Sequence, residues 1–112
     1  MRQELIQAIK NDLAESSSCV LRKTFLLFCN SAVNTFSRSF FKQHFLPSYI
    51  GMSSDKVAAV RMEFARSFLH VKPFLESDPS LANELMNLLD HMHSDIDRDV
   101  VEAVEICDYE LL

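Results

Sequence analysis

The sequence predicts an all-α protein of about six helices arranged as antiparallel pairs, and three observations carry that prediction. The 112 residues include one glycine, Gly51, and three prolines. That leaves too few turn formers for a sheet protein, which needs a turn about every 8–12 residues. Apolar residues recur at helical spacing, as in the single stripe formed by Leu81, Leu85, Leu88, Leu89 and Met92. The chain also resembles itself at an offset of 40 residues. A chain of this length supplies one core, so residues 1–112 are read as a single unit.

In order, the predicted helices cover residues 2–14, 18–35, 38–51, 55–72, 79–93 and 96–110. The first two are parted by Ser16-Ser17-Ser18, a turn with no glycine-rich cradle for phosphate. The third contains Pro47, which should bend it, because proline lacks the N–H a helix interior needs. The fourth has two apolar stripes, Val57, Val60, Phe64, Phe68, Val71 and Ala58, Met62, Ala65, Leu69, so it is expected to be covered on two sides. It should stop before Pro73. The fifth opens with Asp78 as N-cap and Pro79 at the first helical position. In the sixth, Asp95 or Asp97 is expected to cap the helix, with further acids favouring its positive end.

The internal repeat fixes which positions correspond. Phe45, Leu46, Tyr49, Met52, Asp55 and Val60 fall on Leu85, Met86, Leu89, Met92, Asp95 and Val100. A shift the other way sets Leu5, Ile6 and Ile9 on Phe45, Leu46 and Tyr49, and puts Glu15 in the aspartate place. In that copy Arg22 sits one residue later than Arg61 requires, as if the period there were 39.

Several function classes find little support. Residues 1–75 hold ten Lys and Arg against five Asp and Glu, and residues 76–112 hold one against eleven. An acidic end repels phosphate, and the basic half has no clustered run with interleaved aromatics, so no nucleic-acid partner is expected. The longest apolar run, Phe25 to Cys29, is far short of a membrane span, and no membrane partner is expected. Cys19, Cys29 and Cys107 form no C-x-x-C pair, which points to a reducing compartment and a cytoplasmic location. Cys29 and Cys107 lie in apolar stripes and read as core, with no base nearby to make them nucleophiles.

The stretch from His91 to Glu105 holds two histidines and Asp95, Asp97 and Asp99. A calcium loop would need glycine at its sixth position and glutamate at its twelfth, where Val100 and Ile106 stand. His91 and His93 on one helix would point about 200° apart, a poor zinc pair. The reading adopted is a joint between helices. No catalytic residue, metal ligand or cofactor is expected, and the chain is read as no enzyme.

Leu46-Pro47, Tyr49-Ile50, then Asp55, Val57, Val60-Arg61 and Ala65 resemble the HEAT repeat, an antiparallel helix pair that stacks into an α-solenoid. The stretch from Lys56 to Cys107 is similar to repeats of the protein phosphatase 2A scaffold subunit and of HEAT-type regulatory subunits of related phosphatases. The resemblance implies an inter-repeat ladder built here from Asp55, Arg61 and Asp95. It should weaken toward the C-terminus, because Val101 stands where arginine would recur and Asn87 where Pro47 would. It implies contact surfaces on the second helices and on the turns 34–39 and 74–79, with Phe40, Gln43, His44, Asp78, Asn83 and Asn87 as candidates. Phe40 falls off the core stripe and is either covered by the preceding repeat or exposed on the side of the second helices. The pattern opens and closes out of phase, so a longer solenoid is expected. The implied function is a non-catalytic scaffold that binds a serine/threonine phosphatase catalytic subunit or its partners. The alternative is an adaptor outside phosphatase biology whose acidic C-terminal face takes basic partners. The oligomeric state is not legible.

Overall fold

The computed structural model describes residues 2–76 and 78–111. Helix α1, Gln3–Ile9, runs on through one π turn, Lys10–Ala14. Helix α2, Cys19–Thr35, starts at Ser18, whose hydroxyl accepts the Leu21 N–H, and α3, Arg38–His44, starts at Ser37, whose hydroxyl accepts the Phe40 N–H. Then come α4, Leu46–Gly51, with a 3-10 turn Met52–Ser54, and α5, Ala58–Glu76. Helices α6, Pro79–Met92, and α7, Arg98–Leu111, complete the chain. No strand occurs among the described residues.

Three expectations need correction. The third helix is two helices, α3 and α4, broken at Phe45 rather than bent at Pro47, so the described residues form seven α-helices and not six. A helical Pro47 would leave the Gln43 carbonyl without its donor and crowd the preceding turn. With the break at Phe45, Pro47 falls in the first turn of α4, where no N–H is required. Helix α5 begins at Ala58, three residues after Asp55, because the Asp55 carboxylate first closes a turn by accepting the Val57 N–H at 2.9 Å. It also runs through Pro73 instead of stopping there. The proline ring is exposed, and Phe74 just beyond is buried edge-on against Phe41, ring centres 5.1 Å apart, which anchors the last turn.

Helix α5 is central, with α2 packed along one side and α7 along the other, and α6 lies against both α5 and α7. Arginines near the starts of α2 and α5 reach the turns that open α5 and α7, so α2, α5 and α7 run in the same direction. The smallest dimension, 18 Å, is that of two helix layers about 8–10 Å apart.

Phe45 occupies the middle of an aromatic junction. Its ring centre lies 5.1 Å from Phe28, 6.1 Å from Phe40, 6.2 Å from Phe41, 6.3 Å from Phe36 and 6.5 Å from Phe25. Phe25, Phe41 and Phe45 are fully buried, and each stabilises the fold by about 1.5–3 kcal/mol relative to an exposed ring. Tyr49 packs at a tilt against Phe64, ring centres 4.8 Å apart, and its hydroxyl shares a hydrogen bond of 3.1 Å with Ser67, so the one polar atom of a fully buried ring has a partner. Burial pushes the Tyr49 phenol and the Cys29 thiol above their ordinary pKa values, which keeps both neutral at physiological pH. Cys29 and Cys107 are both buried in this core.

Candidate functional site

One edge of the molecule is fastened by two arginine–aspartate pairs. Arg22 of α2 donates through Nε and Nη2 to the two oxygens of Asp55, at 2.7 and 3.0 Å, and through Nη1 to the Ser16 carbonyl at 2.9 Å. Arg61 of α5 does the same to Asp95, at 2.8 and 3.0 Å, and to the Asp55 carbonyl at 2.7 Å. Each arginine therefore joins the turn before its own helix to the turn before the next parallel one. These bidentate contacts are charge-assisted, and their planar fork fixes direction as well as distance.

The side chains are 8% and 9% exposed in the first pair and 13% and 11% in the second, dry enough for an unpaired partner to be costly. Burial alone would raise the Asp55 pKa. Hydrogen bonds from Arg22 and the Val57 N–H outweigh it and hold the carboxyl below its ordinary range. The Asp95 carboxyl is lowered chiefly by Arg61, against the opposing effect of burial.

The register differs from the expected one in one place. Ser16, not Glu15, occupies the position of Asp55 and Asp95, and Glu15 is exposed. Arg22 and Arg61 each bind a carbonyl six residues back, so the first period is 39. What Arg22 uses at Ser16 is backbone, which no side-chain pattern reveals.

The His91–Glu105 stretch divides its labour. Asp95 pairs with Arg61 and accepts the Asp97 N–H, while Asp97 caps α7 by accepting the N–H groups of Asp99 and Val100. His91 and His93 are exposed. Among the described residues no group of three or more His, Cys, Asp or Glu is placed to hold a metal ion. No described helix is long and apolar enough to cross a membrane.

The candidate contact residues lie on α3, on α6 and at the turn before α6. Phe40 is half-buried, its ring 5.0 Å from Phe36 and 4.6 Å from His44, so it is covered from the end of α2 and from its own helix. Gln43, Asn83 and Asn87 are exposed, and His44 is half-buried. Asp78 caps α6 through the Ser80 N–H and hydroxyl and pairs with Lys42 of α3 at 2.9 Å. Lys42 first, and then Ser80, lower its pKa to about 2. This bridge ties α3 to the start of α6 across 36 residues, a link the repeat offset of 40 gives no reason to look for. Ser77, inside the turn 74–79, lies outside the described residues.

No protein-family model matches the chain. Over 107 residues, 93% of its length, the chain is 33% identical to serine/threonine-protein phosphatase 4 regulatory subunit 4 of Mus musculus. It is 32% identical over 107 residues to the protein of that name from Homo sapiens. The chain spans 12% of the length of these relatives. It is thus similar to a stretch of a phosphatase regulatory subunit, a protein whose name describes regulation rather than catalysis.

Proposed function

We propose that this chain is a HEAT-type segment of a non-catalytic regulatory scaffold that binds a serine/threonine phosphatase catalytic subunit or its partners in the cytoplasm. The observation that carries the reading is the similarity to phosphatase 4 regulatory subunit 4 along 93% of the chain. The two arginine–aspartate pairs support it, because they recur between parallel helices in the way the resemblance to HEAT repeats implies. On this reading Asp55, Arg61 and Asp95 hold successive helix pairs in a stacked solenoid. Gln43, Asn83 and Asn87 present polar groups from α3 and α6, with Phe40, His44 and Asp78 at the border of that surface.

Biolayer interferometry of the purified chain against purified phosphatase 4 catalytic subunit tests the reading. Saturable binding that survives high salt and is lost in the Gln43→Arg/Asn83→Arg/Asn87→Arg variant is the expected result. Absence of binding by the unaltered chain sinks it. Binding that the triple variant retains moves the contact off α3 and α6.

A further inference from the structure

A groove of about 460 Å³ runs between α5 and α7, built from residues that the arginine–aspartate pairs do not use. Met62, Ala65 and Leu69 of α5 and Ala103 and Cys107 of α7 line its floor, and Ile106 stands at its edge, 55% exposed. Two alanines keep it open. The residue that corresponds to Ala65 in α2, 39 positions earlier, is Leu26, and the one that corresponds to Ala103 in α5, 40 positions earlier, is Glu63. At the same level the junction of α2 and α5 therefore carries larger side chains.

The rim carries carboxylates on the α7 side and one guanidinium, Arg66, on the α5 side. Asp99 and Glu102 of α7 are exposed, and neither has an ion-pair partner among the described residues. On the α5 side Arg66 is engaged with Glu63 at 3.8 Å. The wider field agrees, since residues 76–112 hold one basic residue against eleven acidic ones. From Asp99 to Cys107 the wall extends about 12 Å, two turns of a docked helix. An apolar floor two turns long beside a negative wall selects its occupant by charge. Nucleic acid and acidic segments are repelled, and a basic amphipathic helix is attracted.

We propose that the groove between α5 and α7 binds an amphipathic helix of a partner protein, which seats aliphatic side chains on the floor and sets lysines or arginines against Asp99 and Glu102. The site goes beyond the phosphatase reading and needs none of the residues on α3 or α6, so either can fail alone.

The test is fluorescence anisotropy of the full chain with a labelled helix of about 15 residues, built from leucine and lysine with the leucines on one face. A shuffled peptide of the same composition, its leucines spread round the helix, is the control. Saturable binding of the amphipathic peptide is expected, weaker by about tenfold in Asp99→Lys/Glu102→Lys and weaker again with added salt. Circular dichroism verifies the fold of that variant. Should the pair not fold, Glu102→Lys alone is read by the same criterion. Glu84→Lys/Asp90→Lys on α6, exposed and outside the groove, should leave binding unchanged. Equal binding of the shuffled peptide, an equal loss in the α6 variant, or no saturable binding would each overturn the proposal.

Discussion

The Arg22–Asp55 and Arg61–Asp95 junctions are near copies set in unlike surroundings. Their carboxylate contacts differ by no more than 0.1 Å, and both arginines reach back to a carbonyl six residues earlier. The helices that follow the first arginine, α2 and α3, bring together six phenylalanines between residues 25 and 45, with Phe45 at their centre. To the second junction, α7 brings Val100, Ala103, Val104 and Cys107, with no aromatic residue among them. One polar fastening thus serves two kinds of packing. The pairs set direction and register, and the apolar residues set how much each junction resists separation.

The largest expected effect tests the packing half of that comparison. Phe45→Ala should cost about 4 kcal/mol in urea unfolding, and Leu89→Ala, on the α6 side, about 3 kcal/mol. A reversal of that order would mean that the aromatic junction is loosely packed.

Removing the carboxylate tests the polar half. Asp55→Ala and Asp95→Ala should each cost about 3 kcal/mol, because each strands a guanidinium out of water. Equal losses would sharpen the idea of a shared fastening, and a difference of more than about 1 kcal/mol would break it. Both carboxyls have folded pKa values below their unfolded ones, so the stability they supply is present above the ordinary carboxylate range. It is lost as pH falls from about 4 through the folded values. Acid titration by circular dichroism should therefore show a shallower loss in Asp55→Asn/Asp95→Asn than in the unaltered chain.

Corresponding positions offer a smaller contrast. Val60 is fully buried, while Leu21, which corresponds to it at the repeat offset, is 41% exposed. Val60→Ala should cost about 2 kcal/mol and Leu21→Ala less than about 1 kcal/mol by thermal unfolding. The smallest effect concerns the exposed bridge between α3 and α6. Lys42→Met should raise the Asp78 pKa from about 2 toward the ordinary value of about 4, followed by carboxyl NMR, with little change in stability.

Much of this architecture is legible from side-chain spacing. Helical stripes place the helices to within a few residues, and the recurrence of Asp55 at Asp95 marks the turns that open α5 and α7. What escaped the spacing is backbone and context. The Ser16 carbonyl has no side-chain signature, and so Glu15, the nearest acid, took its place in the reading. The passage of α5 through Pro73 depends on Phe74 meeting Phe41, a residue distant in sequence. The contact surface on α3 and α6 is less legible still, because exposed Gln43, Asn83 and Asn87 carry no periodic signal.

The arginines' backward reach has a consequence for how such a chain tolerates changes of length. Ser16 to Asp55 is 39 residues and Asp55 to Asp95 is 40, yet the six-residue step from turn to arginine is the same in both. One residue has been gained in the excursion through the hairpin, and none along the fastened edge. The margin that carries Ser16, Asp55 and Asp95 is locked in length, since an added residue there would carry an arginine off its carbonyl and its carboxylate together. On the opposite margin, Phe36 and Ser37 take part in no arginine–aspartate pair among the described residues. Insertions, tags or grafted loops belong there.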